Sequence, residues 1–222
     1  MKNPILEAKS ISKSFGNIKA LDNVDFFLEK GQIHGLLGEN GAGKSSLMNI
    51  LSGIYLPEKG TVTIDGKLIK RLNPDLASSL GIGMVHQEFR LIDSFSIKDN
   101  LTLSKSNIYK NDFDKAFSKY SDIFSLNLNF MTPISKLSVG EKQKVEIMKL
   151  IFNNSSIMLL DEPTAVLTPQ ETAQLKVSLE TLSQEDEKTI VLITHKLKEI
   201  KDFTEKISVS YTHLRAHETL IY

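Results

Sequence analysis

The chain has 222 residues, 41% hydrophobic and 24% charged, with 27 Lys plus Arg balanced by 27 Asp plus Glu and no cysteine. That composition is ordinary for a globular chain long enough to bury a sizeable core as one domain, or one domain with an insert, and it excludes disordered and collagen-like classes. Zero net charge removes bulk attraction to nucleic acid or anionic lipid, and the missing thiols exclude disulfides, thiolate zinc sites, iron–sulfur clusters and a cysteine nucleophile, which suits a reducing cytoplasm.

In chain order, Met1 to Gly16 carries Lys2, Glu7, Lys9 and Lys13 among its apolar residues and so lacks the continuous apolar stretch of a signal peptide. Nowhere do about 18 apolar residues run together, so the chain is not expected to span a bilayer by itself. Gln32 to Leu37 reads as a strand ending in a Gly-rich turn at Gly38 to Gly43, after which Leu47, Ile50, Leu51 and Ile54 fall on one face of a helix. Val62 and Ile64 alternate with polar residues, and Asp65-Gly66 is a hairpin turn signal, so Thr61 to Ile69 reads as a small antiparallel hairpin. Between Glu88 and Lys136 the apolar positions Phe113, Ala116, Phe117, Tyr120 and Phe124 are scattered among polar residues, the pattern of a helical insert. From Ser138 the pattern sharpens: Val145, Met148 and Phe152 form a helical stripe, and Ile157 to Leu160 is a buried-strand run ending at Asp161. Thr168 caps and Pro169 opens a helix with Leu175, Leu179 and Leu182 on one face, followed by a β-rich run, Thr189 to Thr194, and a short helix, Lys196 to Phe203. Strand-like and helix-like runs alternate, which predicts an α/β domain with a largely parallel sheet. No internal repeat is visible, and the tail from Ser208 to Tyr222 matches neither helix nor strand periodicity.

Three segments carry chemistry. Gly38-Glu39-Asn40-Gly41-Ala42-Gly43-Lys44-Ser45 satisfies G-x-x-x-x-G-K-[ST] between a strand and a helix, with Ser46 next on the helix. Its glycines let successive N–H groups point at phosphate oxygens; Lys44 would then reach the β- and γ-phosphates of a nucleotide, and the Ser45 hydroxyl would ligate Mg²⁺. Asp161, at the end of a buried strand, is the metal-side carboxylate such a site requires, and Glu162 follows it as the group that polarises water. Ser138 and Glu141 form a capping box, and the same helix start, with Ser138 and Gly140, exposes N–H donors to an anion presented by another subunit.

With Leu137 to Gln143, Asp161-Glu162-Pro163-Thr164 and Ile193-Thr194-His195 added to the Gly-rich loop, the chain resembles the nucleotide-binding domain of an ATP-binding cassette (ABC) transporter from about Ile5 to Ile207. The resemblance implies a P-loop NTPase fold with a mostly parallel core sheet, a small antiparallel β subdomain and a helical insert at about 88–152. It implies a domain over residues 1–207 and a tail over 208–222 that is non-native or truncated. By the same resemblance Leu137 to Gly140 closes over ATP on an opposite domain in a head-to-tail dimer, although Val139 replaces a Gly and Glu141 a Gln. The resemblance also implies that Gln87 touches Mg²⁺ and couples to the membrane subunit, that His195 contacts the γ-phosphate and supports Glu162, and that Phe15 stacks on adenine. Lys44, Glu162 and His195 are then the catalytic set. Without the resemblance, Gln87 reads as a surface residue, His195 as a partly exposed polar residue and Phe15 as equally well core.

The spelling of Leu137 to Gly140, Val145 to Ile147 and Asp161 to Glu171 is similar to bacterial importers for simple sugars and nucleosides, whose ATPases usually carry two such modules; this chain looks like the first. Thr168 stands where many such domains have an Asp. The expected function is ATP hydrolysis powering import of a nucleoside or simple sugar. The expected partners are membrane permease subunits, a second nucleotide-binding domain and, indirectly, a solute-binding protein, with no nucleic acid, at the cytoplasmic face of a bacterial membrane. Two alternatives stand beside it: a fragment that binds nucleotide without hydrolysing it, and a cytosolic ABC ATPase acting on DNA or ribosomes, against which zero net charge and the modest insert argue.

Overall fold

The computed structural model describes residues 4–103, 112–204, 206–210 and 218–221. The first sheet is antiparallel: β1 (Leu6–Phe15) lies between β2 (Ile18–Leu28) and β4 (Lys59–Ile64), and β4 pairs with β5 (Lys67–Ile69) across the expected Asp65-Gly66 turn. β1 and β2 carry no clear alternation because the ladder is bulged, with register shifts between Ala8 and Ile11 and between Ile11 and Lys13. Each bulge moves the next side chain to the other face, which hides the two-residue period from the sequence.

The second sheet is built from β3 (Ile33–Gly38), β6 (Ile82–Val85), β7 (Ile157–Asp161), β8 (Thr189–Thr194), β9 (Lys206–Ser210) and β10 (Glu218–Ile221), in the order β10-β9-β3-β8-β7-β6. Every pairing from β9 to β6 is parallel, and β10 closes the edge antiparallel to β9. Strands covered on both faces must be apolar throughout, which is why Ile157 to Leu160 and all of β8 are buried. Their side chains alternate between two cores. Met158, Leu160, Ile190 and Leu192 join Phe117, Phe124, Met148 and Phe152 on one face, while Ile157, Leu159, Val191 and Ile193 join Leu6, Leu28, Leu47 and Leu51 on the other.

The helices are α1 (Lys44–Leu51), α2 (Pro74–Ser79), α3 (Ile97–Thr102), α4 (Phe113–Ile123), α5 (Val139–Phe152), α6 (Pro169–Glu185) and α7 (Leu197–Phe203). α1 is shorter than its apolar spacing suggests. Gly53, at φ 78°, ends it in a left-handed turn in which Ile54 N–H donates to Asn49 O at 2.8 Å and Gly53 N–H to Ile50 O at 3.0 Å. Ile54 is thereby turned out of the helix face and left 41% exposed, correcting its assignment to that stripe. Thr168 and Pro169 open α6 as expected, with Glu171 closing a reciprocal capping box. α3, α4 and α5 make up the helical insert, of which residues 104–111 lie outside the described residues.

The tail differs from its weak periodicity. Lys206–Ser210 forms a parallel ladder with β3, from His34 opposite Lys206 to Gly38 opposite Ser210, so the boundary expected at 207 falls inside a strand. Glu218–Ile221 adds to it, while residues 211–217 and 222 of the expected tail lie outside the described residues. Backbone pairing along β3 satisfies peptide groups whatever the side-chain pattern. No helix among the described residues is long and apolar enough to cross a membrane.

Candidate functional site

β3 delivers the chain to the Gly-rich loop at Gly38, and Gly43, at φ 82°, turns it into α1 in a left-handed conformation that glycine adopts without strain. The first turn of α1 therefore points its unpaired N–H groups back into a cleft of about 320 Å³. Asn40 to Ser46 line the cleft together with Gln87, Asp161 and Glu162. Lys44 is 7% exposed, and its Nζ donates to the loop's own carbonyls, at 2.6 Å to Gly38 O and 2.8 Å to Glu39 O. Gly38 and Glu39 thus hold the lysine through backbone oxygens. Burial lowers the Lys44 pKa, and the carboxylates of Glu162 and Asp161 oppose that shift.

Parallel pairing of β6, β7 and β8 brings the rest of the site together: Val85 lies opposite Leu160, and Asp161 opposite Ile193. Gln87 therefore emerges two residues beyond β6 beside the two carboxylates. Burial raises the Asp161 pKa and Glu162 adds to the rise, whereas Lys44 and the hydrogen bond from the Ser45 hydroxyl pull it down. Lys44 and Asp161 are both driven toward their neutral forms because each loses hydration that the other only partly replaces.

Glu162 turns the chain at φ 48°, a left-handed conformation for a residue with a side chain, and its N–H is held by Ile193 O at 2.9 Å. The turn aims the carboxylate at the end of β8, where Oε1 lies 2.7 Å from His195 Nδ1. Backbone strain of this kind persists where surrounding structure over-determines it.

Phe15 ends β1 opposite Ile18 and is 41% exposed. Its ring meets the Tyr55 ring edge-on at 5.2 Å between centroids, with Lys13 Nζ 5.5 Å from its centroid. Ile18 lines the cleft with Lys19 and Ala20, whereas Phe15, paired with Ile18 across the β1–β2 ladder, is not among the lining residues. The sequence did not single out these three wall residues; the signal was their place one residue beyond Ser14-Phe15-Gly16.

Ser138 and Gly140 are not among the residues lining the cleft of their own chain. Ser138 caps α5 as read, accepting from Glu141 N–H at 3.2 Å and donating its own N–H to Glu141 Oε2 at 2.7 Å. Gly140 is buried, and a side-chain carbon there would collide with the Glu171 carboxylate. Further along, one face of α5 grips the segment after Gln87: Lys142 Nζ meets Asp93 Oδ1 at 2.8 Å, Glu146 accepts from Arg90 N–H, and Lys149 Nζ donates to Arg90 O at 2.9 Å. Glu146 is 5% exposed, and burial raises its pKa against the attraction of Lys149. This ladder was also missed; its signal was three charges spaced i, i+4 and i+7 on a largely buried helix.

Residues 21–165 match the family described as ABC transporter, and the chain belongs to that family. It is 42% identical over 210 residues to the nucleoside import ATP-binding protein NupA of Lactococcus lactis subsp. cremoris, a match covering 92% of this chain and 41% of that protein. It is also 42% identical over 203 residues to the ribose import ATP-binding protein RbsA of Caldanaerobacter subterraneus subsp. tengcongensis, covering 89% and 41%. The chain thus spans about two fifths of the length of these curated relatives. Among solved structures, the dimeric bacterial ABC transporter cassette MJ0796 superposes with a TM-score of 0.84 at 26% identity, covering 97% of this chain and 98% of that one. The same cassette in a dimeric post-hydrolysis state bound to ADP and Pi gives a TM-score of 0.83.

Proposed function

We propose that the chain is the ATP-hydrolysing module of an importer, turning over Mg-ATP in the cleft between the Gly38 to Ser45 loop and the end of β7. The observation that carries this reading is the 2.7 Å pairing of Glu162 with His195 beside a cleft lined by Lys44, Ser45 and Asp161. Phosphates seated there face the N–H groups of Asn40 to Ser46 and the positive end of α1. Lys44 exchanges the carbonyls of Gly38 and Glu39 for phosphate oxygens, and Phe15 offers its exposed ring to the adenine.

Hydrolysis forms a bond from the water oxygen to the γ-phosphorus and breaks the bond from that phosphorus to the bridging oxygen, leaving ADP and inorganic phosphate. Glu162 takes the water proton. A carboxylate only accepts hydrogen bonds, so His195 Nδ1 carries the hydrogen in their pair, and the second Glu162 oxygen is left to face the water. Ser45, Gln87 and Asp161 offer hard oxygen donors, and among the described residues no group of three or more His, Cys, Asp or Glu could hold a metal ion. So sparse a set suits Mg²⁺, which is typically bound through one or two carboxylates plus substrate phosphates. Bound there, Mg²⁺ neutralises charge developing on the phosphates.

Ser138 and Gly140, outside their own cleft, serve the cleft of a second nucleotide-binding domain arranged head to tail. The import named for the relatives supports a nucleoside or simple sugar as cargo. Membrane permease subunits, and through them a solute-binding protein, are then the partners, with the chain peripheral at the cytoplasmic face.

The test is the mass in solution of Glu162→Gln with and without Mg-ATP, alongside phosphate release by the parent chain with Lys44→Ala as control. An ATP-dependent dimer and turnover above the control are expected. A monomer that binds ATP and releases phosphate only at background would overturn hydrolysis by this chain alone and leave nucleotide binding.

A further inference from the structure

The Glu162–His195 pair is assembled from two strand ends, and a single side chain outside the cleft ties those ends together. Glu199, in the first turn of α7, accepts from the Thr164 hydroxyl at 2.6 Å and from the Thr194 hydroxyl at 3.3 Å, both on Oε2. Its other oxygen, Oε1, meets Lys196 Nζ at 2.8 Å, and the Lys196 N–H donates to Thr194 Oγ1 at 3.1 Å. The three partners are the residue two beyond Glu162 and the residues immediately before and after His195. Thr164 and Thr194 are each 5% exposed, so these bonds form where water competes poorly.

We propose that Glu199 is the positioning residue of the Glu162–His195 pair, a role that rests on the hydrolytic reading above. It does not line the cleft of Lys44 and Asp161; it lines a separate small cavity together with Pro163, Leu192 and Phe203. It therefore acts through the backbone. Glu162 is aimed by its left-handed turn and by its N–H to Ile193 O, but His195 sits on an exposed turn, so the meeting of the two depends on how the strand ends are held together. Pinning Thr164 and Thr194 to one oxygen sets the gap between the turn after β7 and the end of β8, which is the gap the 2.7 Å contact spans. All three partners are donors, which fits an acceptor-only carboxylate. An amide could turn its NH₂ to the threonine hydroxyls, which also accept, but it gives up the charge that faces Lys196 Nζ. Although burial opposes the charge on Glu199, the hydrogen bonds from Lys196 and Thr164 hold its pKa below the ordinary value.

The test compares Glu199→Ala, Glu199→Gln and Thr164→Val, the last removing one donor at similar size, in the full chain. Loss of positioning lowers kcat by roughly ten- to hundredfold, as for small misplacements of reacting groups, with the KM for ATP unchanged. Glu199→Gln falls between the parent and Glu199→Ala. In a His195→Ala background, Glu199→Ala costs nothing further, whereas independent, multiplying losses would overturn the proposal. A second readout needs no turnover: the side-chain nitrogen resonances of His195, identified by their loss in His195→Ala, shift in Glu199→Ala and in Thr164→Val, while those of His34 stay in place. Unmoved His195 resonances in both variants overturn the positioning role. A parent chain without turnover overturns the hydrolytic reading alone and leaves the resonances to decide this one.

Discussion

Glu162 holds two conflicting properties in one residue: a side chain to which the proposed hydrolysis gives the water proton and a backbone angle that side chains resist, φ 48°. A left-handed residue with a β-carbon costs about 1–2 kcal/mol relative to glycine. Glu162→Gly is therefore expected to be more stable than Glu162→Ala by about 1 kcal/mol in denaturant unfolding, with both lacking turnover. Equal stability would mean that the local structure relaxes and that the angle stores nothing. That Lys44, Ser45, Asp161 and Glu162 meet at one cleft was legible, because a Gly-rich loop between strand and helix and a carboxylate at the end of a buried strand leave few other readings. His195 was not legible by itself, since a histidine at a strand end says nothing of its partner. That partner is set by β7 lying beside β8, a pairing between segments far apart in the chain. Glu199 was invisible for the same reason: its two threonines come from different strand ends.

At the scale of elements, three helices among the described residues are opened by reciprocal capping boxes: Ser96 with Asp99, Ser138 with Glu141, and Thr168 with Glu171. Thr168→Ala is expected to cost about 0.5–2 kcal/mol in unfolding experiments, since it orphans the Glu171 N–H. The caps also predict an acid limb. Hydrogen bonds from Ser96 hold the Asp99 pKa below its ordinary value, and those from Thr168 do the same for Glu171. A depressed carboxylate pKa contributes stability that is present above the ordinary value and lost as pH falls through the folded one. The melting temperature should therefore decline on acidification below the ordinary carboxylate range, and the decline should be shallower in Asp99→Asn. The α5 ladder gives a further expectation: Glu146→Ala leaves the Arg90 N–H without its acceptor, costs about 1–3 kcal/mol and speeds hydrogen exchange at the Arg90 amide. Unchanged exchange there would remove the ladder as a tie between α5 and the segment after Gln87. β3, β7 and β8 were readable as apolar runs because both faces of a parallel sheet are covered. β1 and β2 were not, because their bulges break alternation, and the end of α1 was overrun because apolar spacing carries no information about a left-handed turn at Gly53.

For the whole molecule, the six-stranded sheet divides the interior into two cores, and β3, which leads into the Gly-rich loop, gives Ile33 to one and Leu36 to the other. Side chains on one face of β7 and β8 pack against the insert helices, while those on the other pack under the antiparallel sheet. A large-to-small change in either core, such as Phe124→Ala, is expected to cost about 3–5 kcal/mol and to reduce nucleotide binding as well, because both cores share those strands. Calorimetry with and without Mg-ATP would check it; loss of stability with binding intact would mean that the two cores act separately. The strand order also has a consequence in time. β3 is made early, yet its two neighbours, β8 and β9, come from the last part of the described chain, with Ile33 opposite Ile190 and His34 opposite Lys206. During synthesis the Gly-rich loop therefore leaves the ribosome long before the strand that carries it has anything to pair with, and long-range parallel pairing is slow to form. A chain halted before Thr189 should gain no protease protection from Mg-ATP, so that a newly made molecule can take its first nucleotide only after β8 and β9 have emerged to flank β3.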